Sequence, residues 1–113
     1  MSMNIVYTLA ARQDLRDIYE YIAYTLLVPD TARSLTDRIM AEVRALEDYP
    51  ERNPLYRDEP WHSLGVRFLP VGNYIVFYTA DKAAGTVSVA LLFTTVALVV
   101  AWLKSMLSAP AME

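Results

Sequence analysis

Two stretches of this 113-residue chain carry apolar residues at three- and four-residue spacing, and short β-branched and aromatic runs lie on either side of them. Asn4-Ile5-Val6-Tyr7 reads as a strand, and Thr8 is placed to cap the helix that follows. In that helix Ala11, Leu15, Ile18, Tyr19, Ile22 and Leu26 form one apolar stripe, while Arg12, Asp14, Arg16, Asp17 and Glu20 form a solvated face. Pro29-Asp30 interrupts the pattern, and Asp30 is expected to cap a second helix. Its buried face is Ala32, Leu35, Ile39, Val43 and Leu46, and Pro50 marks its end. Helices joined by so short a connection are predicted to form an antiparallel helical hairpin.

Residues 51–63, ERNPLYRDEPWHS, form a proline-containing loop dense in charge and aromatics. Beyond it Gly65 to Leu69 reads as a strand, Pro70-Val71-Gly72-Asn73 as a turn, and Tyr74 to Thr79 as a second strand. Alternation sets Tyr74, Val76 and Tyr78 on one face and Ile75, Phe77 and Thr79 on the other. A turn at Asp81 to Gly85 leads into a further strand from Thr86. The order β-α-α-β-β-β predicts an α+β fold: an N-terminal strand, a helical hairpin and an antiparallel β-meander sheet, in one domain over 1–113.

Composition narrows the chemistry. The chain has no cysteine and one histidine, His62, which removes disulfides, thiolate nucleophiles and His-cluster metal sites. A net charge of −3 lacks the basic footprint of nonspecific nucleic-acid binding. The N-terminus has neither the basic flank nor the long apolar core of a signal peptide, so a cytoplasmic protein is expected.

Charge is then abruptly absent: residues 83–103, AAGTVSVALLFTTVALVVAWL, contain none between Lys82 and Lys104. The first part fits the last strand, running to about Phe93, and leaves about 15 residues where a membrane span needs about 20. A membrane anchor is therefore not expected. The remainder, an atypical apolar tail from about residue 90 to 113, is read as a C-terminal apolar helix or extension, with Val96 to Leu107 helical.

Four segments in order resemble the RelE/ParE family of toxins from bacterial type II toxin–antitoxin modules. They are A-R-Q-D-L-R-D-I-Y-E-Y-I at 11–22, L-E-D-Y-P-E-R at 46–52, D-E-P-W at 58–61 and G-V-R-F-L-P-V-G-N-Y-I-V-F-Y at 65–78. The resemblance implies a small toxin held by a cognate antitoxin protein, as homodimer or toxin–antitoxin hetero-oligomer, with no metal or cofactor. RelE-like members cut mRNA in the ribosomal A site, and ParE-like members inhibit DNA gyrase. For an active chain the resemblance favours a ribosome-dependent mRNA interferase, with ribosome and mRNA as partners. A noncatalytic gyrase inhibitor is the alternative, and an inactive relative that still binds antitoxin is a third reading.

RelE-like cleavage relies on basic residues on the sheet and near the C-terminus, often with a tyrosine, to stabilise phosphate charge. Arg67 and Tyr74 match positions of that kind and are the candidate catalytic pair. The position after Tyr74, an arginine in ribosome-dependent members, is Ile75 here. Where a basic Y/H-x-R-R-D segment is expected, the chain reads Phe93-Thr94-Thr95-Val96-Ala97. With one choice of codons, a one-base shift there encodes His-Asp-Arg-Arg, so a reading-frame change between about Val89 and Phe93 is a further expectation.

Trp61, His62 and Tyr78 are candidate target-binding residues: Trp61 as a contact on the loop, His62 for proton transfer, Tyr78 as a stacking platform. Each also has a plainer role, as a lid, a surface residue and a core residue. Asp58 and Glu59 lie close enough for acid–base work but equally solvate the loop. Arg33, Arg38 and Arg44, interleaved with Asp37 and Glu42, read as a solvated helix face.

Overall fold

A mixed sheet backs two helices in the computed structural model, which describes residues 3–94. Its elements are β1 (Asn4–Tyr7), α1 (Leu9–Glu20), a π-helical turn (Tyr21–Thr25), α2 (Pro29–Arg44), a 3-10 turn (Ala45–Glu47), β2 (Arg67–Val71), β3 (Tyr74–Asp81) and β4 (Thr86–Thr94). The strand order is β1-β4-β3-β2, with β2, β3 and β4 antiparallel in succession. The helices carry the chain back across the sheet, so β1 joins parallel to β4 beside the meander.

The alternation along β3 holds. Val76 and Tyr78 are fully buried toward the helices, with Val87, Val89, Ile39, Val43 and Leu46. Tyr74 packs partly against the same core. Ala11 and Ala32 are also fully buried, small side chains that let helix and neighbour approach closely. Each fully buried valine, leucine or isoleucine contributes roughly 1.5–3 kcal/mol.

Thr8 caps α1 as predicted, its Oγ1 accepting from Ala11 N at 3.1 Å. It also repairs the sheet. Phe77 pairs with Leu91 but Tyr78 pairs with Val89, leaving Ala90 as an extra, bulged residue. Thr8 Oγ1 donates to Ala90 O at 2.8 Å, and Thr8 N donates to Val89 O at 3.0 Å. Six residues further on, Asp14 Oδ2 accepts from Leu92 N at 3.1 Å. Beyond the end of β1, side chains of α1 and its cap therefore satisfy the β4 backbone in place of a strand.

Several boundaries differ from the sequence reading, each for a local reason. Leu26 N donates to Tyr21 O, five residues back, and the wider π-helical turn rotates Leu26 off the apolar stripe, where it is 51% exposed. Pro29 takes the first helical position of α2, so Val28 is the cap, without a side-chain bond. Asp30 lies instead in the first turn, favourably placed against the helix dipole. α2 ends at Arg44 and tightens into the 3-10 turn before Pro50 is reached. Thr36 joins its buried face because its hydroxyl bonds back to Ala32 O at 3.0 Å.

β2 starts at Arg67 and runs through Pro70 and Val71. Proline is tolerated there because β2 is an edge strand, which leaves the turn as Gly72-Asn73 alone. Gly72 takes φ +59° in that turn. β4 reaches Thr94, and the expected helix over Val96 to Leu107 and the altered C-terminus lie outside the described residues. Among the described residues no helix is long and apolar enough to cross a membrane.

Candidate functional site

The five residues singled out from sequence fall into three separate settings. Arg67 opens β2 and pairs in register with Tyr78, while Val71 at the far end pairs with Tyr74. Arg67 and Tyr74 therefore sit at opposite ends of β3's partner register. Four residues at a rise of about 3.4 Å put their backbones roughly 13 Å apart along the strands.

Arg67 is committed to the chain itself. Its Nη1 donates to Asn53 O at 2.7 Å and, at longer range, to Glu51 O at 3.4 Å. Its Nη2 lies 3.9 Å from Glu51 Oε2, and Lys82 Nζ lies 2.9 Å from Glu51 Oε1. The Lys82 hydrogen bond first, then the Lys82 charge, hold the Glu51 carboxyl below its ordinary value against desolvation, with the Arg67 charge contributing least. These groups tie the segment after α2 to β2 and to the turn between β3 and β4.

Tyr78 completes the tie. Its hydroxyl donates to Pro50 O at 2.8 Å and accepts from Asn53 Nδ2 at 3.2 Å. Burial pushes its phenol up, opposed by the Asn53 bond and the nearby Arg67 charge. At 0% exposure the ring offers no face on which a base could stack. Tyr74, at the start of β3, is half-buried; burial raises its phenol and Tyr21 pushes the same way.

Trp61 and His62 lie on a lobe formed by residues 54–66. Backbone bonds close it from within, Tyr56 N to Val66 O at 2.7 Å and Val66 N to Trp61 O at 3.1 Å among them. The Tyr56 ring anchors it on the sheet's outer face, edge-on to Phe77 at 5.3 Å and Phe68 at 5.9 Å. Trp61 is 45% exposed on this lobe and Leu64 65%. His62 Nδ1 lies 3.1 Å from Tyr56 O; a carbonyl only accepts, so Nδ1 carries the hydrogen. Glu59 accepts from Ser63 Oγ and Ser63 N, bonds that hold its carboxyl below the ordinary value and make it a loop cap. The lobe displays exposed side chains on a backbone hydrogen-bonded to itself and anchored to the sheet.

The sequence gives no local sign of Glu51 and Asn53 as partners of Arg67, of Lys82 as the second cation on Glu51, or of Asp14 as a cap for β4. All are long-range pairings that no local spacing records. The signal present was the density of charge and proline in residues 51–63.

This arrangement, a helical hairpin on a sheet whose basic strand residue braces a loop, can be set beside known proteins. The sequence profile described as the ParE toxin of the type II toxin–antitoxin system parDE matches residues 5–94. The chain belongs to the ParE toxin family. Among solved structures, a chain of the chromosomal ParDE toxin–antitoxin system from P. aeruginosa aligns at TM-score 0.67 and 20% identity, covering 82% of this chain and 96% of that one. A chain of the RelBE2 toxin–antitoxin complex from Mycobacterium tuberculosis aligns at TM-score 0.60 and 20% identity, covering 83% and 92%. No curated protein matches the sequence. At such identities the two structures speak for a shared fold, and ParE membership rests on the profile. The matched span ends where β4 ends.

Proposed function

We propose that this ParE-family toxin is held by a cognate antitoxin protein and, when released, acts by binding DNA gyrase rather than by cutting mRNA. The observation that carries this reading is the state of Arg67, whose guanidinium is occupied by Asn53 O and Glu51. RNA cleavage asks for a cluster of basic groups around one phosphate. Here Arg67 faces an acidic partner, Ile75 stands where RNA-cleaving relatives carry arginine, and residues 95–113 include one basic residue, Lys104. A binding mechanism needs none of these. It needs a surface with large exposed side chains on it, and the 54–66 lobe carries Trp61 and Leu64.

Controlled expression in cells without the antitoxin tests the reading. Gyrase-dependent chromosome breaks with intact transcripts support it. Transcripts cut within codons, with the chromosome whole, would return the assignment to an mRNA interferase. Growth unaffected in either respect would make the chain an inactive relative.

A further inference from the structure

The far end of the 54–66 lobe bonds its backbone amides to itself. His62 N donates to Asp58 O at 3.0 Å, Leu64 N to Pro60 O at 3.2 Å, Gly65 N to His62 O at 3.1 Å and Val66 N to Trp61 O at 3.1 Å. Ser63 N donates to Glu59 Oε1 at 3.0 Å, and Pro60 has no N–H to offer. The five consecutive amides from His62 to Val66 are thus all taken up within the lobe. A partner strand has no ladder of donors to pair with here, so recognition falls to the side chains.

Residues Glu59 to Leu64 are all exposed. Bonds reaching back three to five residues wind this segment into helix-like turns, and on such turns residues three apart share a side. Trp61 and Leu64 have that spacing, which sets an indole beside an isobutyl group on the surface. Little free charge surrounds them. Arg57 Nε lies 3.8 Å from Asp58 Oδ1, and Glu59 is bonded to Ser63. With His62 neutral at pH 7, the lobe sets one positive side chain against two negative ones, which is no footprint for a phosphate backbone. An uncharged, paired apolar projection fits an apolar pocket in another protein.

We propose that Trp61 and Leu64 are the paired anchor by which the chain grips DNA gyrase, entering one apolar pocket of that protein. The proposal rests on the reading that gyrase is the target. Tryptophan is enriched among the few residues that dominate protein–protein binding energy, and Leu64 beside it excludes water from the contact. The turns that carry both are already hydrogen-bonded in the free chain, so binding has little backbone left to order.

Surface plasmon resonance of the purified full chain on immobilised DNA gyrase tests this. Trp61→Ala is expected to weaken binding about 30-fold, and Leu64→Asp, at a well-exposed position, at least about tenfold. Circular dichroism and urea unfolding check that both variants fold. Trp61→Phe keeps an aromatic of smaller area and should fall between the wild type and Trp61→Ala. Leu27→Asp, the same change at an exposed leucine of the connection between the helices, should bind gyrase as the wild type does. Wild-type binding that survives in both lobe variants overturns the anchor and leaves the gyrase reading standing. No binding of the wild type to gyrase overturns both. Lobe variants that lose the antitoxin while keeping gyrase assign the lobe to the antitoxin and overturn the proposal.

Discussion

Replacing Arg67 by alanine separates a brace from a catalytic group. The bond from Nη1 to Asn53 O, at 2.7 Å and partly buried, is the main loss. A hydrogen bond from a charged donor contributes about 1.5–3 kcal/mol, and partial access of water to the freed carbonyl favours the lower part of that range. The 3.4 Å contact with Glu51 O is long, and the 3.9 Å pair with the solvent-screened Glu51 carboxylate adds little. The expected cost is about 2 kcal/mol, or roughly 8 °C in unfolding temperature at about 4 °C per kcal/mol for a domain of this size. Urea unfolding followed by tryptophan fluorescence and by circular dichroism measures it, with Arg67→Lys expected to recover about half. Gyrase inhibition, assayed well below the unfolding temperature, should persist in Arg67→Ala. Loss of activity with an unchanged unfolding midpoint would refute the brace and make Arg67 a functional group.

Thr8→Val removes both the helix cap and the donor to Ala90 O, and should cost about 2 kcal/mol in urea unfolding. Tyr78→Phe deletes a hydroxyl bonded to Pro50 and Asn53 and should cost ~1–2 kcal/mol by the same assay. The pH dependence has two limbs. The Tyr78 phenol is raised in the folded state, so its share of stability is complete below its ordinary value of 10.0 and is lost as pH rises through the folded value; Tyr78→Phe should flatten that alkaline limb. The Glu51 carboxyl is lowered, so its share is present above its ordinary value of 4.5 and is lost as pH falls through the folded value; Glu51→Gln should flatten the acid limb of the unfolding midpoint.

How much of this was legible beforehand differs by element. Both helices, the Thr8 cap and the two faces of β3 follow from periodicities of three to four and of two, which are local properties of the chain. The parallel seat of β1 beside β4 is set by where the helical hairpin returns the chain, and no spacing within Asn4–Tyr7 encodes it. Pro70 was read as a turn because proline usually leaves a ladder; an outer strand removes that objection. The π-helical turn at Tyr21–Thr25 widens a helix by one residue without any proline or glycine to announce it.

The site was less legible than the fold. In the sequence Arg67 is a basic residue on a strand, a place that calls for an acid or a ligand. Which it has depends on Glu51 and Asn53, reached through the intervening loop. Tyr78 alternates onto the helix face as expected, yet only the folded chain shows its hydroxyl consumed by Pro50 and Asn53. Trp61 and His62 were grouped with Tyr78, and the lobe carries them away from it onto the surface. Ile75 could be read from sequence alone, and it points the same way as the occupied guanidinium.

The most direct test of the central claim uses the purified chain in two reactions side by side: supercoiling of relaxed plasmid by DNA gyrase, and translation of a defined mRNA with its ends mapped. Supercoiling is expected to be inhibited in proportion to added protein, antitoxin to reverse the inhibition, and the mRNA to stay whole. Cleavage of the mRNA on the ribosome at concentrations that leave supercoiling untouched would contradict that claim.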